Sequence, residues 1–306
     1  MFVLIGPTAS GKTAVACEIA KKLRVEAVSC DSMQVYRGMP LLTQAPTAAE
    51  KKRLKAHLVS FLDPSEEYNA ALFRRDAKAA IEKIRKKGAL PLLVGGTGLY
   101  LRALLDGLFE TEKDSSKDEK YRAKLLREQE KQGGNYLHEK LSKVDAASAA
   151  KIHPNDHRRL VRALEVHHVT GKTFSEQKPL RKGLRDFFHC RIFLLDRDRQ
   201  DLYARVERRV DVMLKKGALE EAKKLKGKKL SLTASMALGL REMTGVLEGK
   251  HTVKEAVELL KKNTRHYAKR QLSWFRHEKG VEFVPVAPGE TPKETAKKIL
   301  KLWKAQ

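Results

Sequence analysis

Residues 6–13 read Gly6-Pro7-Thr8-Ala9-Ser10-Gly11-Lys12-Thr13, the G-x-x-x-x-G-K-[ST] spacing of a phosphate-binding loop. Each residue type has a physical task. The glycines let backbone N–H groups close around phosphate oxygens, Lys12 reaches a terminal phosphate, and the Thr13 hydroxyl is placed for Mg²⁺. The flanks give the loop its setting. Phe2-Val3-Leu4-Ile5 is an unbroken apolar run, as a buried parallel strand requires. Residues 12–23 set Val15, Ala16, Ile19, Ala20 and Leu23 on one helical stripe. A loop between strand and helix aims the helix N-terminus at the anion. Gly6, Thr8, Ala9, Ser10, Gly11, Lys12 and Thr13 are therefore candidate phosphate ligands, with Thr13 the candidate metal ligand. The motif leaves open whose phosphate is held.

Outward from the loop, the first hundred residues alternate short apolar runs with helical patterns. Strands are expected at Val25–Ser29, His57–Leu62 and Leu90–Val94, with a helix over 69–87 closed by Gly88. This βα alternation predicts a parallel sheet with helices on both faces. From about Glu110 to Arg185 the sequence turns polar, charge-dense and helical in pattern, with no strong strand. Strand composition returns at Arg191–Leu195, followed by helices over 201–225, 252–275 and 293–303. The expected organisation is a catalytic core, 1–109 and 191–306, carrying an inserted helical domain, 110–190. The fold class is α/β, a P-loop NTPase-like parallel sheet flanked by helices, with an all-helical insert.

Ligands of such sheets sit at the carboxyl ends of the strands. Two further strand ends carry notable residues: Asp31-Ser32-Met33-Gln34, and Gly95-Gly96-Thr97. If their strands neighbour the first, Asp31 and Thr97 face the same crevice as Lys12. Asp31 suits a general base or a Mg²⁺ ligand, or serves only as a turn or cap aspartate. The three cysteines, Cys17, Cys30 and Cys190, lie far apart without metal-binding spacing and read as reduced packing residues.

The charge is the second large fact. Lys and Arg number 63 against 38 Asp and Glu, a formal net charge of +25. A polyanion partner explains such an excess through phosphate neutralisation and counterion release. A generally lysine-rich protein complement and an anionic membrane surface are the other readings. No apolar run approaches the length of a membrane span, and a chain that begins in a strand leaves no room for a targeting peptide, so a cytoplasmic protein is expected. The 252–275 helix is the best candidate polyanion surface. Val253, Val257, Leu260, Thr264, Tyr267, Ala268, Gln271 and Phe275 form its buried stripe, while Lys262, His266, Lys269, Arg270 and Arg276 crowd its other faces. In the 201–225 helix, Arg205, Arg208 and Arg209 fall on one side, where they suit a diphosphate or nucleic-acid phosphate.

Taken together, segments spanning nearly the whole chain resemble the tRNA dimethylallyltransferases. They are Gly6–Thr13, Asp31–Tyr36, Asp63-Pro64 with Tyr68–Asp76, Leu92–Tyr100, Ile152–Asp156, Arg158-Arg159, Arg162–Val166, Thr170-Gly171 and Asn263–Arg276. The resemblance implies transfer of a dimethylallyl group from dimethylallyl diphosphate to the exocyclic amine of the adenosine beside the tRNA anticodon. By motif position, Asp31 corresponds to the general base. Lys12 and Thr13 correspond to diphosphate and Mg²⁺ contacts, and Arg205 to a diphosphate arginine. The implied tRNA contacts are Asp31, Ser32, Met33, Gln34, Thr97, Asn155, Asp156, His157, Arg158 and Arg159, beside Lys269 and Arg270 from the charge pattern. The implied cofactor is Mg²⁺ and the partner the tRNA anticodon stem-loop, bound by a monomer without a membrane or an obligate protein partner. The sequence departs from the family at Leu42-Thr43-Gln44-Ala45-Pro46, where Gly-Thr-Ala-Lys-Pro is usual, and across Ser235–Glu242. A short tail after the basic helix, without a zinc finger, resembles the bacterial form. A P-loop kinase of small molecules or nucleotides is the competing reading; it accounts for residues 1–100 but gives the charge and the 263–276 block no role.

Overall fold

The computed structural model describes residues 1–108, 118–177 and 181–304. Six parallel strands form one sheet: β1 (Phe2–Ile5), β2 (Val25–Cys30), β3 (Ala56–His57), β4 (Leu90–Gly95), β5 (Arg191–Arg197) and β6 (Val281–Val286), in the order β3-β2-β4-β1-β5-β6. Every residue of β1 is buried because helices cover both faces, which is why its sequence is apolar throughout rather than alternating. Val3 and Ile5 join Val28, Leu93, Ile192 and Leu194 in the core on one face. Phe2 and Leu4 join Ala27, Leu92, Phe193 and Leu195 in the core on the other. The register brings Ile5 level with Gly95 and Leu194, and Cys30 level with Gly95. The segments that follow β1, β2, β4 and β5 therefore leave the sheet at one edge.

Several expectations are corrected. The run His57–Leu62 is not a strand over its length. Pairing stops at His57, because Leu58 and Ser60 adopt left-handed backbone (φ 60° and 52°), and Leu62 makes only an isolated bridge to Tyr36. The helix expected over 201–225 is two, Arg199–Lys215 and Ala218–Leu225, broken where Gly217 turns left-handed at φ 93°. The first helix runs Lys12–Ala20 and stops short of Leu23. Val253 is exposed rather than part of the buried stripe of helix Val253–Arg276, where Ala256 takes the buried place. The edge strand β6 was not expected; its side chains are half exposed, and Pro285 is tolerated there because the strand is the last of the sheet.

By contacts the chain divides into two compact units, Met1–Leu105 with Leu184–Gln306, and Asp106–Gly183. The boundary expected at 109/110 lies outside the described residues. Leu184 and Phe188 pack with the core of the first unit, and the Met1 ammonium donates to the His189 carbonyl. The second unit is helical, with its principal helices at Glu119–Gln132, Tyr136–Val144 and His157–Thr170. Its core is Leu125, Leu137, Leu141, Leu160 and Leu164. At its centre the buried Glu165 carboxylate accepts from Arg122 through both oxygens (2.6 and 2.9 Å) and from Arg162 (2.6 Å). Those guanidiniums outweigh burial and hold its pKa below the usual range.

Candidate active site

The loop after β1 folds as its sequence demands. Gly11 sits at φ 98°, left-handed backbone that glycine adopts without strain. A Cβ on Gly6 would lie 2.8 Å from the Ser10 hydroxyl oxygen. Ala9 is the unusual member, held at φ 64° without being glycine, at a cost of about 1–2 kcal/mol. Its surroundings impose that conformation. The methyl packs with Leu202, Val206 and Ala268, and the Ala9 carbonyl accepts from Arg205 Nε at 2.9 Å. Helix Lys12–Ala20 then begins without a side-chain cap and without an acidic residue in its first turn, so its N–H groups and dipole remain available to an anion. The Ser10 hydroxyl is buried without a hydrogen-bond partner, a donor that a bound anion would satisfy.

Cations surround this loop. Lys12 Nζ donates to the Gly6 and Pro7 carbonyls at 2.9 and 2.8 Å. Its pKa is pushed down to about 8, first by burial and then by Arg209, with Asp31 opposing. From the end of β5, Arg197 Nε donates to the Ser10 carbonyl (2.8 Å) while Nη1 pairs with Asp201 (2.8 Å). Arg205 and Arg209 stand one turn apart on helix Arg199–Lys215. Burial lowers both their pKa values, with Arg197 adding to the effect at Arg205 and Asp31 opposing it at Arg209. A guanidinium stays charged, so these shifts mark cations poorly solvated by their surroundings. Arg208, grouped with them by spacing, is exposed.

Asp31 follows β2, two strands from β1. Its Oδ1 accepts from Met33 N (2.9 Å) and Gln34 N (3.3 Å), closing a turn, and its charge is felt at Lys12 and Arg209. Burial, and after it the Asp31 charge, raises the Tyr267 phenol and keeps it protonated. Thr97 follows β4, directly beside β1; its hydroxyl accepts from Ser32 N at 3.1 Å, tying the two loops. Gly95 is obligatory there, since a Cβ would lie 2.0 Å from the Cys30 carbonyl oxygen. Ser32, Met33 and Gln34 are all partly exposed around this crevice. A cleft with apolar walls, among them Ala16, Ala27, Leu54 and Val94, opens beside Thr13.

The structure thus brings Gly6, Thr8–Thr13, Asp31–Gln34, Thr97 and Arg205 to one edge of the sheet. Lys269 and Arg270 lie exposed on helix Val253–Arg276, with the Arg270 guanidinium 5.8 Å from the Tyr267 ring centre. Asn155, Asp156, His157, Arg158 and Arg159 belong to the second unit. There Asp156 caps helix His157–Thr170 by accepting from Arg159 N (3.2 Å), while Asn155, Arg158 and Arg159 are exposed. Sequence reasoning missed Arg197, hidden as one basic residue among several. It also placed Gln271 in the helix core without seeing that its amide spans two loops: Oε1 accepts from Thr8 N (2.7 Å) and Nε2 donates to the Gly96 carbonyl (2.8 Å). A buried glutamine in an apolar stripe was the available signal, because such a group must find partners.

Among the described residues, no three His, Cys, Asp or Glu side chains converge on a metal-sized site. The donors present fit Mg²⁺ in another way: the Thr13 hydroxyl beside a phosphate cradle matches an ion that takes most of its oxygens from phosphate and water.

A parallel sheet with this loop after an interior strand, and cations converging on the loop, defines an α/β protein of the phosphate-loop class. The IPP transferase family model matches residues 34–278, and the chain belongs to that family. It is 40% identical over 301 residues to the tRNA dimethylallyltransferase of Carboxydothermus hydrogenoformans, covering 98% of this chain and 94% of the relative. It is 41% identical over 304 residues to that of Thermotoga neapolitana, covering 98% and 97%. Among solved structures, it resembles the tRNA isopentenylpyrophosphate transferase of Bacillus halodurans (TM-score 0.70, 38% identity, 99% and 94% covered). It also resembles a eukaryotic dimethylallyltransferase acting on tRNA (TM-score 0.83, 29% identity, 98% and 77% covered).

Proposed function

We propose that this enzyme transfers a dimethylallyl group from dimethylallyl diphosphate to the N6 amine of the adenosine 3′ of the tRNA anticodon, position 37, releasing diphosphate. The observation that carries the reading is the shared sheet edge: a cationic phosphate cradle at β1 and a carboxylate, Asp31, at β2, with Thr97 between them. The diphosphate lies against the loop N–H groups, Lys12 and Arg205. As the allylic C–O bond breaks, its electron pair passes to the diphosphate oxygen, and these cations stabilise the charge that accumulates. The adenine amine attacks the allylic carbon, forming the C–N bond, and its proton passes to Asp31. A carboxylate is needed because an aromatic amine is a weak nucleophile. Thr13 would hold Mg²⁺, which when bound would neutralise part of the diphosphate charge. The base leaves its stack to reach the crevice. Lys269 and Arg270, and in the second unit Asn155, Arg158 and Arg159, contact the tRNA.

The kinase reading is not favoured: relatives matched over nearly the whole chain are named for prenyl transfer to tRNA. Incubation with Mg²⁺, unmodified tRNA and either labelled dimethylallyl diphosphate or γ-labelled ATP separates the two. Label from the diphosphate substrate on tRNA is expected. Phosphate transfer from ATP to a small molecule, without prenylation, would overturn the proposal.

A further inference from the structure

We propose that Gln271 is a positioning residue for the transfer, its amide fixing the spacing between the phosphate loop and the loops that carry the base; the inference rests on the prenyl-transfer reading above. Its side chain is buried, and both ends of the amide are used, on Thr8 N and on the Gly96 carbonyl. The two loops follow adjacent strands, β1 and β4. Gly96 is fitted to the amide: a Cβ there would stand 2.4 Å from Gln271 Nε2. From the Gly96-Thr97 loop the connection runs to the base, because the Thr97 hydroxyl accepts from Ser32 N in the Asp31 turn. A second path runs from the other side of Thr8. The Thr8 hydroxyl donates to Gln44 Oε1 (3.4 Å), and the Gln44 carbonyl accepts from Gln34 Nε2 (3.2 Å). One buried amide on the helix that exposes Lys269 and Arg270 therefore sets where the diphosphate lies relative to Asp31. Misplacing reacting groups by about 1 Å costs on the order of 100-fold in rate.

The full-length chain is assayed as Gln271→Met, which keeps length and loses both hydrogen bonds, and as Gln271→Glu, which keeps the acceptor for Thr8 and loses the donor to Gly96. With labelled dimethylallyl diphosphate and tRNA, kcat is expected to fall roughly 100-fold in Gln271→Met and less in Gln271→Glu, with tRNA affinity within about twofold of the parent. Unchanged kcat in both variants, or a loss that follows tRNA affinity, overturns the proposal; so does a lowered melting temperature with kcat and KM unaltered. If Gln271→Met does not fold, Gly96→Ala carries the test, since its methyl displaces the same amide, and the same kcat loss with retained tRNA affinity is expected. A parent protein that moves no prenyl label refutes the reading on which the inference stands, whereas an active parent with indifferent variants refutes the positioning role alone.

Discussion

Replacing Asp31 by Asn separates the chemistry of that residue from its structural work. Asp31 Oδ1 accepts two backbone hydrogen bonds, at 2.9 and 3.3 Å, and the Asn amide oxygen can accept both. The turn should persist, with a stability change within about 0.5 kcal/mol. What disappears is the proton acceptor. Positioned general bases contribute roughly 10²- to 10⁴-fold, or about 3–5 kcal/mol of barrier, and kcat should fall in that range while tRNA affinity holds. A second effect follows from charge. Asp31 opposes the lowering of the Lys12 pKa, so its loss moves that pKa further below about 8. The ammonium is then less fully protonated near neutrality, and KM for the diphosphate substrate rises. Steady-state kinetics at pH 6.5 and 8.5 distinguish the two: the kcat defect appears at both, and the added KM defect grows with pH. A kcat within about threefold of the parent at saturating substrate would show that another group takes the proton.

If Lys12 binds the diphosphate as proposed, it does so as the ammonium, the form present below its pKa of about 8; KM should then rise as pH climbs through that value, and the step should vanish in Lys12→Met. Gly98→Ala would place a Cβ 2.2 Å from Trp274 Nε1, a clash expected to cost about 1–3 kcal/mol of stability by urea denaturation. Neutralising Lys269 and Arg270 together should weaken tRNA binding and reduce the slope of log affinity against log salt by about 2; an unchanged slope would make them solvated surface charges.

The parts of the site legible in the sequence are those encoded locally. Gly6–Thr13 announces itself because its glycines serve backbone geometry within eight residues, and the apolar runs at β1, β2, β4 and β5 mark buried parallel strands, at whose carboxyl ends the ligands of such sheets sit. What stayed hidden depends on distant partners. Gln271 reads as one more position of a helical stripe until the loops after β1 and β4 supply a donor and an acceptor to its amide. Arg197 reads as surface charge, yet is buried because the Ser10 carbonyl and Asp201 lie against it. The edge strand β6 was obscured by its proline and its glutamate, which pairs with Arg191, and the helix break at Gly217 by an apolar period that continues across it. His57–Leu62 failed for the opposite reason: its composition suits a strand, while Leu58 and Ser60 turn the backbone out of the extended region.

On the proposed mechanism the phosphate loop holds a leaving diphosphate rather than ATP. It is tested most directly by incubating the protein with unmodified tRNA, Mg²⁺ and dimethylallyl diphosphate, then digesting the tRNA and identifying the modified nucleoside by mass spectrometry. N6-dimethylallyl adenosine is expected at the position 3′ of the anticodon, with diphosphate released in equal amount. Unmodified adenosine there, beside ATP-dependent phosphorylation of a small molecule, would contradict it.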